Sequence, residues 1–257
     1  MSLVHTTSDI FQIIQRNVRR NFRIPQLLVF SSIQPVIFLL LFNFVFGGAV
    51  TALSGEKYIN FLLPGILAQT ALFGAIQTGV GLAEDLGKGM IDRLRSLPMS
   101  RVAVLAGRTL ADAVRNFFVI IIMCTVGVAL GFRATEGSLK VSAAILLVLV
   151  FGLAFSWISA CVGLLVKDSE TVQVVGFLWV FPLVFASSVF VPVATMPEWL
   201  QVFARNQPVT QVVNAIRHLT RGGVPNGSEF VWHTIAWIAG IIIVFAPIAV
   251  WRYRKIK

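Results

Sequence analysis

Side chains able to act on one another are few in this chain, and their densest set is Arg108, Asp112 and Arg115. Spaced four and then three residues apart, they fall on one face of a helix, where opposite charges pair. Structural pairing is the role that spacing supports, ahead of direct action on a substrate. Nucleotide chemistry lacks its groups: a phosphate-cradling loop needs a glycine five residues before Gly87-Lys88, and Leu82 stands there. There is no His-Glu-x-x-His and no Gly-x-Ser-x-Gly, and His5, His218 and His233 lie far apart at polar edges. Cys124 and Cys161 both sit inside apolar runs, where a free thiol behaves as a small hydrophobe rather than as half of a disulfide or a metal site.

The elements that carry these residues follow from composition. Of 257 residues, 57% are hydrophobic and only 12% charged, with a mean hydropathy of +0.85. Soluble domains carry about a quarter charged residues, so most of this surface must face lipid. A net charge of +10 would suit nucleic acid, but the Lys and Arg residues sit in short stretches between apolar runs, a pattern of membrane topology and headgroup contact.

Residues 1–26 are expected to form an amphipathic helix lying in the interface plane. Ile10, Ile14, Val18 and Phe22 line one side; Arg16, Arg19, Arg20 and Arg23 line the other. Leu27–Phe46 has twenty residues without a charge, too long for the core of a signal peptide, and is read as a retained first span. Further spans are expected at about Tyr58–Ala83, within Thr109–Phe132, and at Val141–Val166, Val172–Val193 and Phe230–Trp251. Fourteen Lys and Arg residues fall on the side of both termini and six on the other, which places both termini in the cytosol. Span centres hold amides and hydroxyls (Gln34, Asn43, Gln69, Gln77, Ser187) but no carboxylate or amine. Proton or sodium coupling would ask for an ionisable group there, so transport by this chain needs a partner to drive it.

Two stretches make that partner specific. The first runs from Gly79 through Glu84-Asp85, Lys88, Asp92-Arg93, Arg95 and Pro98 to Gly107-Arg108 and Asp112. The second runs from Pro192 through Pro197, Trp199 and Arg205-Asn206-Gln207-Pro208 to Arg217 and Gly222. Both resemble the type-2 permeases of ATP-binding cassette exporters, and most closely the daunorubicin/doxorubicin-resistance group. The resemblance implies an all-α membrane fold of six spans, with an outer re-entrant hairpin between spans five and six (residues 194–229). It also implies a dimer with a second permease subunit and a cytosolic ATPase that binds ATP and Mg, so this chain itself holds no cofactor. In such permeases the N-terminal helix, here with Arg16, Arg19 and Arg20, and the loop after span two contact the ATPase. That loop is residues 84–108, with Glu84, Asp85, Ile91, Asp92, Arg93, Leu94, Arg95 and Leu97. Met90, Ile91, Leu94 and Leu97 give it a short apolar-faced helix that Pro98 ends.

The outer segment is expected to act as a gate. Trp199, Leu200 and Phe203 form one apolar face, and Val212, Val213, Ile216 and Leu219 another, with Pro208 between them. Arg205, Arg217 and Arg221 are expected at its polar rim, near outer headgroups. A Phe-rich interior with scattered amides suits an amphiphile, drug or lipid-like; a polyprenyl-linked glycan, a glycolipid or a non-transporting scaffold are the alternatives.

Overall fold

A computed structural model describes residues 25–88 and 101–255. The expected interfacial helix and the centre of the docking loop (Ile91, Asp92, Arg93, Leu94, Arg95 and Leu97, with Arg16, Arg19 and Arg20) lie outside the described residues. Within them the fold is helical: α1 Pro25–Ser54, α2 Tyr58–Gly87, α3 Arg101–Ala129, α4 Ser138–Val166, α5 Ser169–Phe185, a 3-10 turn Val193–Thr195, α6 Glu198–Asn206, α7 Pro208–Arg221 and α8 Gly227–Lys255.

Five of these helices, α1 to α4 and α8, carry stretches long and apolar enough to cross a membrane. Pro35, Pro64 and Pro247 lie inside α1, α2 and α8, which membrane helices tolerate because neighbours re-satisfy the freed carbonyls. The second helix is the hub, packed by α1, α3, α4, α5 and α7. Small residues let its neighbours close in. A methyl group added at Gly79 or Gly163 would meet the backbone of the facing helix, so α2 and α4 approach there without side chains between them. By contrast, Ile37, Leu41, Phe44 and Phe46 leave α1 open to its surroundings.

Boundaries differ from the sequence expectation in several places, beginning with α1, which continues past the expected end at Phe46 to Ser54. Glu84 and Asp85 belong to the last turns of α2 rather than to a loop, and α3 begins at Arg101. At 30 residues and roughly 1.5 Å each, α2 exceeds the roughly 30 Å apolar core, so its charged end projects beyond it. The expected fifth span, Val172–Val193, is helical only to Phe185. There Ser187 turns the backbone: its hydroxyl donates to the Val184 carbonyl and accepts from the Val189 amide at 3.2 Å, replacing helical hydrogen bonds. The last long helix is longer than expected, from Gly227 to Lys255.

Candidate functional site

The charged end of the bundle is built on three turns of α3 facing the end of α2. Arg108 and Arg115 flank Asp112, each 3.7 Å from one of its oxygens. A fourth member comes from α2, where Asp85 pairs with the guanidinium of Arg108. All four are largely enclosed, with two acids balancing two bases. Glu84, one residue away, points elsewhere and pairs with Lys88 at 3.2 Å in the open. Arg115 is the deepest rung, donating to the Gly74 carbonyl at 3.3 Å, midway along α2.

Above that rung lies a cavity of about 300 Å³ between α1, α2 and α3, lined by Ser31, Gln34, Gln69, Gln77, Arg115 and Asn116, with Phe73 at its edge. Gln69 is 2% exposed, and its side-chain oxygen has no hydrogen-bond partner. Gln34 and Gln77 are the exposed members of the lining.

From Phe73 an unbroken series of phenylalanine rings leads away. Phe73 meets Phe177 and Phe181 of α5, each with ring centres 5.7 Å apart. Phe181 stacks on Phe185 at 5.5 Å, and Phe185 meets Phe190 at 5.2 Å. Phe190 stacks on Phe42 of α1 at 4.3 Å, and Phe42 touches Phe38 and Phe46 one turn to either side. Phe181, Phe185 and Phe46 are exposed, so the series is open along one side of the chain. Aromatic pairs at these separations add about 0.5–1.5 kcal/mol beyond burial.

Away from the charged end, α6 and α7 meet at Gln207 with Pro208 opening α7, where its missing N–H costs nothing. The Gln207 side chain accepts from the Val209 amide and donates to the Leu183 carbonyl at 3.0 Å, tying the junction to the end of α5. Arg217 is the chief anchor, and here the rim expected for it is wrong. It is 8% exposed. Its guanidinium donates to the Phe61 carbonyl at 2.9 and 3.2 Å, to the Ser188 carbonyl at 2.7 Å and to the Asn214 side chain at 3.1 Å. Its carbon lies 3.5 Å above the Phe61 ring centre. Arg205 is exposed and bonds Gln201, while Arg221 pairs with Glu56 at 3.0 Å. Of the apolar residues expected to form a gate, Pro208 is buried, whereas Trp199 is 76% exposed and Phe203 is half open.

Sequence spacing pointed to Arg108, Asp112 and Arg115, and the structure brings them together. Asp85 as their partner, Gly74 as the seat of Arg115, and Phe61 and Ser188 as the seat of Arg217 had no local signal. Among the described residues, no group of His, Cys, Asp or Glu is placed to hold a metal ion.

An all-helical bundle with five membrane-length apolar helices and internally paired charges defines a multi-pass membrane protein. It belongs to the ABC-2 type transporter family, whose pattern matches residues 8–220. Among characterised relatives, it is 37% identical to the daunorubicin resistance ABC transporter permease protein DrrB1 of Streptomyces coeruleorubidus, over 90% of this chain and 81% of that one. The probable doxorubicin resistance ABC transporter permease protein DrrC of Mycobacterium tuberculosis is 28% identical over 88% of this chain and 80% of its own length. A putative transport permease, ycf38, of Cyanophora paradoxa is 30% identical, covering 82% and 73% respectively.

Proposed function

We propose that this chain is the permease subunit of an ATP-binding cassette exporter that moves a hydrophobic or amphiphilic molecule outward, driven by ATP hydrolysed on a separate cytosolic subunit. The observation that carries this reading is the phenylalanine series from Phe73 to Phe46, a continuous apolar surface that begins at a polar cavity and runs by way of α5 and Phe190 to the second half of α1. The resistance permeases among its relatives support a drug or lipid-like cargo. An extended glycan fits less well, because the series has no hydroxyl or indole to meet sugar hydroxyls.

On this reading α5 with residues 186–191 makes the fifth of six crossings. The α6–α7 pair is a re-entrant outer hairpin, and the basic end with both termini is cytosolic. A second permease subunit covers the open α1/α5 side, enclosing the phenylalanines between two chains. Glu84 and Asp85, together with the basic N-terminal residues and the 91–97 segment, form the ATPase-facing end. Single cysteines labelled from each side of sealed cells test the topology: Lys255 should react only from inside and Trp199 only from outside.

Transport in proteoliposomes carrying this permease and its ATPase tests the route. Phe177→Ser and Phe181→Ser should each cut ATP-driven flux of a hydrophobic amphiphile at least several-fold while the ATPase still co-purifies. Unchanged flux in both variants would remove the series as the route.

A further inference from the structure

We propose that the cavity between α1, α2 and α3 is a binding site for an uncharged, hydroxyl-bearing polar head whose apolar tail lies along the phenylalanine series. This rests on the export route proposed above and adds the chemistry of the end that enters it.

Three observations converge. First, the buried Gln69 side chain lines a space of about 300 Å³, and its amide oxygen has no hydrogen-bond partner. Buried amides are almost always paired, and one left unmet at a cavity wall calls for a partner brought from outside, with a small turn of the side chain to reach it. Reversing the amide changes only whether donor or acceptor is wanted, and a hydroxyl supplies both. Second, the charge at the cavity floor is already balanced. Arg115 is paired with Asp112, Asp112 with Arg108, and Arg108 with Asp85. An anionic head would compete with Asp112 for Arg115 and set a second negative charge close to that enclosed carboxylate. A cationic head would face the Arg115 guanidinium. A neutral head disturbs neither, and can use the amides of Gln69, Asn116, Gln34 and Gln77.

Third, the geometry joins head to tail. Phe73 edges the cavity and is also the first ring of the series on α5. On α1 the exposed Gln34 stands one helical turn from Phe38, which continues to Phe42 and Phe46. A head seated at Gln69 therefore has an apolar surface beginning beside it on two helices. The cavity holds roughly ten water volumes, room for one ring-sized head and too little for an extended oligosaccharide.

The test uses the full chain in phospholipid nanodiscs and three probes with the same alkyl chain, each with a photoreactive diazirine at its far end. The heads are glucosyl, trimethylammonium and phosphate. Saturable labelling of α5 by the glucoside is expected, with half-saturation at least tenfold lower than for either charged probe. Gln69→Leu should weaken the glucoside about tenfold, the order of one lost hydrogen bond at a buried site, and leave the charged probes unchanged. Gln77→Leu, at the open side, should act in the same direction and more weakly, so the result does not depend on one variant.

Equal half-saturation for all three heads, or a glucoside indifferent to Gln69→Leu, would mean the cavity is only hydrated and would overturn the head site. If α5 is still labelled saturably in that case, the route itself stands. If no probe labels α5 saturably, head site and route fall together.

Discussion

Arg108 and Arg217 are both enclosed, yet the protein accommodates their charges in opposite ways. Arg108 sits among carboxylates, Asp85 on α2 and Asp112 on its own helix, in a short ladder that ends at Arg115. Among the described residues, no carboxylate lies within ion-pair distance of Arg217. It is held by two backbone carbonyls, an amide oxygen and the face of Phe61. A ladder of alternating charges has neighbouring rungs at similar cost, because each cation can exchange one acid for the next. A planar guanidinium forked over fixed carbonyls has one good position. The charged end can thus exchange ion-pair partners at small cost, whereas Arg217 holds one arrangement of α2, α7 and the segment that follows α5.

That contrast breaks first at Arg217. Arg217→Met leaves the Phe61 and Ser188 carbonyls without their donors, a loss of about 3 kcal/mol or more. Export should disappear along with thermal stability of the detergent-extracted chain. Arg217→Lys should rescue little, since one ammonium cannot span contacts on three elements. Near-normal melting of the methionine variant would show that the cap is not a fixed anchor.

At the ladder the expected effect is smaller in stability and larger in coupling. Asp85→Asn and Arg108→Gln should each lower ATP-driven flux about tenfold while the protein still assembles in the membrane. Together they should cost less than the sum, with an interaction of about 1–2 kcal/mol in a double-variant cycle read by melting. Additive losses would mean that the two charges act separately.

How far the sequence carried these conclusions depends on the range of each interaction. The spacing of Arg108, Asp112 and Arg115 is local to one helix and was legible. Arg217 was assigned to a headgroup rim because its true partners lie 156 and 29 residues away and are carbonyls, which every residue possesses. Hydropathy continues through Val189 and Val191, so nothing in it marks the end of α5 at Phe185, where the Ser187 hydroxyl takes over backbone hydrogen bonds. The richness in phenylalanine was visible, but its order was not: Phe42 and Phe190 are joined only by the fold.

The pair of Arg221 with Glu56 bridges the end of α7 to the loop before α2, but Glu56 is mostly exposed. Exposed pairs contribute up to about 1 kcal/mol and are weakened by salt. Glu56→Gln should therefore lower the melting temperature slightly at low ionic strength and not at all in high salt, leaving flux unchanged. A flux defect would move this pair into the anchored cap.

Two solvent-exposed carboxylates, one near each end, give the smallest effect and separate charge at the surface from charge in the interior. Asp168 caps α5, and the Thr171 hydroxyl and then the Thr171 amide hold it below the ordinary carboxylate range. Glu136, beside Gly222 at the end of α7, is lowered by its hydrogen bond to Lys140 and by that residue's charge. Each folded-state pKa lies below its unfolded value. The stabilisation is therefore complete above the ordinary carboxylate range near pH 4 and is lost as pH falls through the folded value. Melting of the detergent-extracted chain should not respond to either group between pH 7 and 6. Asp168→Asn keeps an oxygen to cap α5 but cannot titrate, so its small deficit against the parent should shrink as the pH drops below 4. A deficit that stays constant down to pH 3 would show that the Asp168 cap acts through hydrogen bonding alone.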